Sequence, residues 1–243
     1  MIEIKNLTKN FQKFTALNDV SLNFDNGHSI ALIGPNGCGK TTLIKCILGL
    51  NVTEDGDILV NGESVKEHYK YRENIGYMPQ IGRYPENMTI GQTLQMIKDT
   101  RKVAENDLDT ELLQAFELEK IYDKKMRTLS GGTTQKVSAV LAFMFNPKII
   151  ILDEPTAGLD PLASEILKNK IIKEKKAGKL IIITSHLLSE LDEIVSDIVF
   201  MNDGKILVHQ SVEDLKTQHK TEKISETIVS ILKEMRNEKQ NLH

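Results

Sequence analysis

The sequence predicts an α/β fold: a mostly parallel core sheet, an antiparallel β-subdomain at the N-terminus and a helical subdomain inserted midway. Three observations carry that prediction. Residues 29–33 (SIALI) read as a short buried strand, followed by a glycine-rich loop and by residues 42–50 (TLIKCILGL), whose apolar spacing is helical. Residues 148–154 (KIIILDE) and 180–184 (LIIIT) are continuous apolar runs, the pattern of strands covered on both faces. Between them, from Thr89 to about Met126, the pattern is helical and carries no strand signal.

The loop Gly34-Pro35-Asn36-Gly37-Cys38-Gly39-Lys40-Thr41 fits G-x-x-x-x-G-K-[ST], the phosphate-binding pattern. Strand, glycine loop and helix follow in the order that pattern needs. Glycines let the backbone curl so that successive N–H groups point at one anion, and the helix N-terminus adds partial positive charge. Lys40 is placed to reach the β- and γ-phosphates, and the Thr41 hydroxyl to hold Mg²⁺.

Taken in order, residues 1–7 (MIEIKNL) and 16–24 (ALNDVSLNF) alternate apolar and polar side chains, as half-exposed strands do, and Asn26-Gly27 turns the chain into the buried strand. Phe11 and Phe14 lie between the two strands. Residue type alone makes each a core phenylalanine; a ring beside a nucleotide can also stack on its base. Glu54-Asp55-Gly56 leads into a strand over 57–60, and Asn61-Gly62 is a hairpin turn. Residues 75–78 (IGYM) form another strand, ended by Pro79-Gln80. Gln80 is either a plain loop amide or a Mg²⁺ ligand that also orients water. Thr89 caps a helix with Ile90, Leu94 and Ile97 on its apolar face, and Leu108, Leu112, Leu113, Phe116 and Leu118 outline a second one.

Leu129-Ser130-Gly131-Gly132 opens a helix over 133–145. It is either an ordinary capped start or a second anion-binding N-terminus. Pro147 breaks that helix, and the strand after it ends in two carboxylates. Ligands of open α/β sheets bind at the carboxyl ends of strands. Asp153 therefore falls near the Mg²⁺ held through Thr41, and Glu154 is placed to orient or deprotonate a water facing the γ-phosphate. Residues 157–161 (AGLDP) turn into a helix reaching about Lys176, and the basic run 173–179 reads as a solvated helix end. The strand 180–184 closes at Ser185-His186, where a histidine could contact a γ-phosphate. Residues 198–201 and 205–208 flank Asp203-Gly204 as a last hairpin. From Ser211 the chain is charged and helical, with Ile224, Ile228, Ile231 and Leu232 on one face that can pack on the core or meet a partner.

Composition excludes several classes. The 243 residues are 40% hydrophobic and 27% charged, as in soluble globular proteins, and a net charge of -3 argues for no nucleic-acid surface. The N-terminus is no signal peptide, and no apolar run approaches the roughly 18 residues of a membrane span. The two cysteines, Cys38 and Cys46, form no disulfide framework; they suit a reducing cytosol and read as small packing residues.

Together these motifs resemble the ATP-binding-cassette (ABC) ATPases, over about residues 2–215. GPNGCGKTT (Gly34, Pro35, Asn36, Gly37, Cys38, Gly39, Lys40, Thr41 and Thr42) matches the Walker A loop, and YMPQ puts Gln80 at the Q-loop position. LSGG (Ser130, Gly131, Gly132) matches the start of the signature motif, IIILDEP matches Walker B with Glu154 as the catalytic carboxylate, and AGLD matches the D-loop. TSH puts His186 at the switch position, and Phe11 stands where the family stacks adenine. The resemblance implies a P-loop NTPase fold, with an ABC domain over residues 1–215, a helical subdomain at about 85–140 within it, and a tail over 216–243. It implies ATP and Mg²⁺ as cofactors, a head-to-tail dimer of two copies with ATP between them, and a separate integral membrane permease. The subunit is then peripheral on the cytoplasmic face of the cell membrane. The single cassette with its compact insertion looks most like exporters of the ABC-2 kind, and the 128–137 and 151–161 stretches look similar to the ATPase of nitrous-oxide-reductase copper maturation. A non-transport nucleotide switch, or a soluble cassette protein, is the alternative. One departure stands out: the family usually reads LSGGQ, and here LSGG is followed by Thr133-Thr134-Gln135.

Overall fold

The computed structural model describes residues 1–185 and 191–241. In chain order its elements are β1 (Ile2–Phe11), β2 (Phe14–Phe24), β3 (Ser29–Ile33), α1 (Lys40–Ile47), β4 (Asp55–Val60), β5 (Glu63–Ser64), β6 (Ile75–Met78), α2 (Ile90–Arg101), α3 (Glu111–Ala115), α4 (Gly131–Phe143), β7 (Ile149–Asp153), α5 (Pro161–Lys176), β8 (Leu180–Thr184), β9 (Asp197–Asn202), β10 (Lys205–Ser211), α6 (Val212–His219) and α7 (Ile224–Asn241). A six-stranded sheet runs β10-β9-β3-β8-β7-β6, and a four-stranded sheet runs β2-β1-β4-β5. In the larger sheet every pairing is parallel except β10 with β9; the smaller sheet is antiparallel throughout.

Every residue of β3, β7 and β8 is buried, as the continuous apolar runs require. Strand alternation sends the two faces into different cores. Ile149, Ile151, Leu180 and Ile182 pack toward α1 and the antiparallel sheet. Ile150, Leu152, Ile181 and Ile183 pack toward the helices on the other side. The tail joins that second core: Ile224, Ile228 and Ile231 are buried in it, whereas Leu232 is exposed. Ser211 caps α6 by accepting from Asp214 N.

Four expectations are corrected. The helix of residues 42–50 begins at Lys40 and stops at Ile47. Gly49 N–H bonds Cys46 O while Leu50 N–H bonds Lys45 O, and Gly49 is left-handed at φ 64°; the run carries its own glycine stop. The second helix inserted after α2 is only five residues long, because Glu117 turns left-handed at φ 53° and the chain continues in short 3₁₀ turns. Leu112, Leu113, Phe116 and Leu118 are buried as their pattern demands. The helix after Ser130 starts two residues before Thr133, at Gly131, and ends at Phe143.

The basic run 173–179 is not simply solvated. Lys179 pairs with Glu174 at 2.5 Å and donates to Asn146 Oδ1 at 2.6 Å, and Lys173 pairs with Glu111 at 2.7 Å. Beneath them Lys170, 3% exposed, pairs with Asp109, with Glu111 at 2.8 Å and with Glu174 at 2.7 Å. Burial opposes its charge, but hydrogen bonds to the three carboxylates outweigh that and raise its pKa. This network joins the α3 segment to α5. Removing one partner of a buried ionic cluster leaves the others uncompensated. Lys170→Met should therefore lower unfolding stability by about 3 kcal/mol in urea titration. Hydrogen bonds from Lys170 and Lys173 hold the Glu111 carboxyl below its ordinary value. Its contribution is present above the unfolded carboxylate pKa and is lost as pH falls through the folded one. Glu111→Gln should thus be less stable than wild type at neutral pH and lose less stability on acidification.

Candidate active site

The phosphate-loop residues, the β7 terminus and the first hairpin meet at one cavity of about 640 Å³ at the carboxyl edge of the parallel sheet. Phe11, Asn36, Gly37, Gly39, Lys40, Thr41, Thr42, Gln80, Asp153 and Glu154 all line it. Gly34, Pro35 and Cys38 form the loop behind that surface. Lys40 Nζ donates to Gly34 O at 2.7 Å and Pro35 O at 3.2 Å, so the ammonium lies across its own loop. Gly39 is left-handed at φ 111°, and a Cβ there would stand 2.6 Å from Ala16 O; only glycine fits. No side chain caps α1 at Gly39, so its first N–H groups remain open to a ligand. Cys38 and Cys46 are buried free thiols, and burial pushes the Cys46 pKa up to about 11: both pack, as their size suggests.

β7 and β8 end side by side, with Asp153 in register with Thr184. Asp153 is only 4% exposed. Thr184 Oγ1 donates to Asp153 Oδ1 at 2.5 Å and accepts from Glu154 N–H at 3.0 Å. Glu154 N–H also reaches Thr184 O at 3.1 Å. These bonds hold Glu154 in the left-handed region, φ 52°, a conformation that costs a non-glycine residue of order 1 kcal/mol. Tyr77 lies beside this pair on β6. Burial, and then the Asp153 charge, push its pKa up to about 12, so it adds no anion to the site.

Phe11 and Phe14 correct the residue-type reading. They pair across the hairpin, yet they are 46% and 60% exposed and line the cavity instead of a core. Lys9 Nζ lies 5.1 Å from the Phe11 ring centroid and is anchored by Glu54 at 2.6 Å. Ser130, Gly131 and Gly132 do not line this cavity; they begin α4 elsewhere on the chain. Ser130 caps that helix by accepting from Thr133 N–H at 3.2 Å, and a Cβ on Gly132 would stand 2.6 Å from Gly158 O. The α4 start therefore rests on the 157–161 turn. Lys136 ties the two further through Asp160 at 2.7 Å, which holds the Asp160 carboxyl below its usual range. His186 lies outside the described residues.

Two residues escaped the sequence reading. Thr184 looked like the end of a strand; its only signal was a polar side chain facing Asp153 across two buried runs. Gln135 looked like part of a departure from a motif, yet it is 6% exposed and bonded to Gln80 O.

Comparison with known proteins fits this geometry. The family model described as ABC transporter matches residues 17–157. The sulfate/thiosulfate import ATP-binding protein CysA of Pseudomonas syringae pv. tomato is 33% identical over 213 residues, 84% of this chain. The chain spans 65% of the length of that relative. The lipopolysaccharide export system ATP-binding protein LptB of Haemophilus influenzae is 29% identical over 92% of this chain and 96% of its own length. A solved structure of the ATP-binding subunit of an ABC transporter superposes with a TM-score of 0.89 at 29% identity, covering 96% of this chain and 99% of the other. The chain belongs to the ABC transporter family, with the cassette P-loop fold of its ATP-binding subunits. Among the described residues no helix is long and apolar enough to cross a membrane.

A prediction rests on the Asp153–Thr184 contact. A hydrogen bond to a charged buried group contributes about 2 kcal/mol. Thr184→Val should lose about that much unfolding stability, and Thr184→Ser should keep most of it, in urea titration.

Proposed function

We propose that this chain is the ATP-binding and ATP-hydrolysing subunit of an ABC transporter. The observation that carries the proposal is the convergence of Lys40, Thr41, Asp153 and Glu154 on one cavity. The donor set fits Mg²⁺: the Thr41 hydroxyl, the Asp153 carboxylate and the Gln80 amide offer hard oxygens only. The loop fits a triphosphate, since the close approach at Gly39 and the uncapped α1 start present backbone N–H groups instead of side chains.

On this reading the loop N–H groups and Lys40 bind the β- and γ-phosphates, which requires the ammonium to exchange its loop carbonyls for phosphate oxygens. Thr41, Asp153 and Gln80 would hold Mg²⁺, which would supply positive charge to offset that of the phosphates. Glu154 orients and deprotonates the attacking water, and the resemblance gives His186 the role of γ-phosphate sensor. Phe11 stacks on adenine, with Lys9 supporting the ring. Ser130, Gly131 and Gly132 serve the ATP held by a second copy of the chain, which explains why they lie off this cavity. ATP then closes a head-to-tail dimer and hydrolysis releases it, and the difference drives a separate membrane subunit. The chain sits peripherally on the cytoplasmic face of the membrane beside that permease. Relatives of this chain carry names from both import and export; the compact insertion is what supports an ABC-2-type exporter.

Glu154→Gln should bind ATP with near wild-type affinity and lose about 100-fold or more in kcat, measured by phosphate release. Lys40→Ala should weaken ATP binding by about 10-fold or more in equilibrium titration. Wild-type turnover in the first variant, or unchanged affinity in the second, would refute the assignment.

A further inference from the structure

The strand that carries Phe11 outruns one of its neighbours. β1 pairs with β4 as far as Thr8, opposite Asp55, and then continues to Phe11. A strand edge without a partner strand leaves backbone groups that must bond elsewhere. Glu54, the residue before β4, meets that need. Its main-chain N–H donates to Thr8 O at 3.3 Å, which sets its side chain beside the end of β1. One carboxylate oxygen accepts from Asn10 N–H at 2.8 Å, and the other from Lys9 Nζ at 2.6 Å. Lys9 and Asn10 are the two residues before Phe11, and Lys9 Nζ lies over the Phe11 ring, 5.1 Å from its centroid. The pairing of this stretch with β2 shifts register on both sides of Lys9, so the ladder alone fixes its twist weakly. Hydrogen bonds from Lys9 and then from Asn10 N–H hold the Glu54 carboxyl below its ordinary value, which keeps it an anion at neutral pH.

We infer that Glu54 is a positioning residue for the base: its carboxylate grips Lys9 and Asn10 together and so sets where the Phe11 ring stands on the wall of the nucleotide cavity. Glu54 ends the short segment that follows α1, the helix opened by the phosphate loop. That segment is itself bonded back to α1, through Leu50 N–H and Asn51 N–H to Lys45 O. The grip therefore ties the ring to the loop, the two places a nucleotide has to reach at once. The inference deepens the ATPase reading and rests on it for the ligand; the hold on the hairpin can be tested without any ligand. Glu54 is open to water, and ion pairs so placed are worth a few-fold in an equilibrium, which sets the scale of the effects.

The test measures binding of ATP and of inorganic tripolyphosphate, each with Mg²⁺, by equilibrium titration. Tripolyphosphate has the phosphates without the base. Glu54→Ala should weaken ATP binding by about 3- to 5-fold and leave tripolyphosphate within about 2-fold of wild type. Glu54→Gln keeps an acceptor oxygen but not the charge, and should fall between the two. In a Phe11→Ala chain, Glu54→Ala should cost ATP nothing more, because the ring it places is gone. In the nucleotide-free chain, Glu54→Ala should speed amide exchange at residues 9–11 by about 3- to 5-fold.

Equal losses for ATP and tripolyphosphate would overturn the inference, since a general loosening of α1 and its loop weakens both. So would a full further loss in the Phe11→Ala chain, or unchanged exchange at residues 9–11. If exchange quickens as stated but wild type binds neither ligand, it is the ATPase reading that fails, and the hold of Glu54 on the hairpin stands.

Discussion

Asp153 and Thr184 face each other where two fully buried strands stop, and the candidate site depends on that one hydrogen-bonded pair. A carboxylate 4% exposed is costly unless it has a partner. The hydroxyl supplies that partner and uses its lone pair to hold the next residue's N–H, which fixes Glu154 in a left-handed conformation. The same β8 terminus pairs with β3, Leu32 opposite Thr184, so the strand feeding the glycine loop ends at the same edge. Three strands packed to that edge deliver a loop, a buried carboxylate and a second, more exposed carboxylate to one cavity.

The two cores explain how that edge stays fixed. One face of the sheet is covered by α1 and the antiparallel sheet, the other by α2 to α7. The glycine loop belongs to the first core through Cys38, while the α4 start belongs to the second. The dimer proposed above sets the loop of one copy, on the first core, against the helix start of the other, on the second.

Much of this was legible in the sequence, for physical reasons. β3, β6 and β8 fell on the stretches where continuous apolar runs or strand-type residues ended at turn residues. The hairpin at Asn61-Gly62 formed because both residues accept positive φ, 52° and 87°. Thr89 caps α2 in a full capping box with Gln92. What was hidden needed the third dimension. The 108–118 stretch buried Leu112, Leu113, Phe116 and Leu118, and Leu108 in part, without a continuous helix, since burial is set by which side chains face the core and not by unbroken geometry. By residue type alone Phe11 and Phe14 read as core residues, because type says nothing of a hairpin tip; only the resemblance set Phe11 beside a base. The lysine run at the end of α5 concealed Lys170, whose three carboxylate partners include two from a segment some sixty residues earlier in the chain. Gln135 carried no signal beyond its place in a motif.

The account stands most directly on where a metal–nucleotide complex binds. A crystal structure of the Glu154→Gln chain grown with ATP and Mn²⁺, read by anomalous scattering, locates the cation independently of any phosphate density. The account predicts one strong peak at about 2.2 Å, a metal–oxygen bonding distance, from both the Thr41 hydroxyl and an Asp153 carboxylate oxygen, with the triphosphate inside the curl of the loop. A nucleotide whose cation lies elsewhere, with Asp153 still bonded to Thr184 and not to the metal, would contradict it.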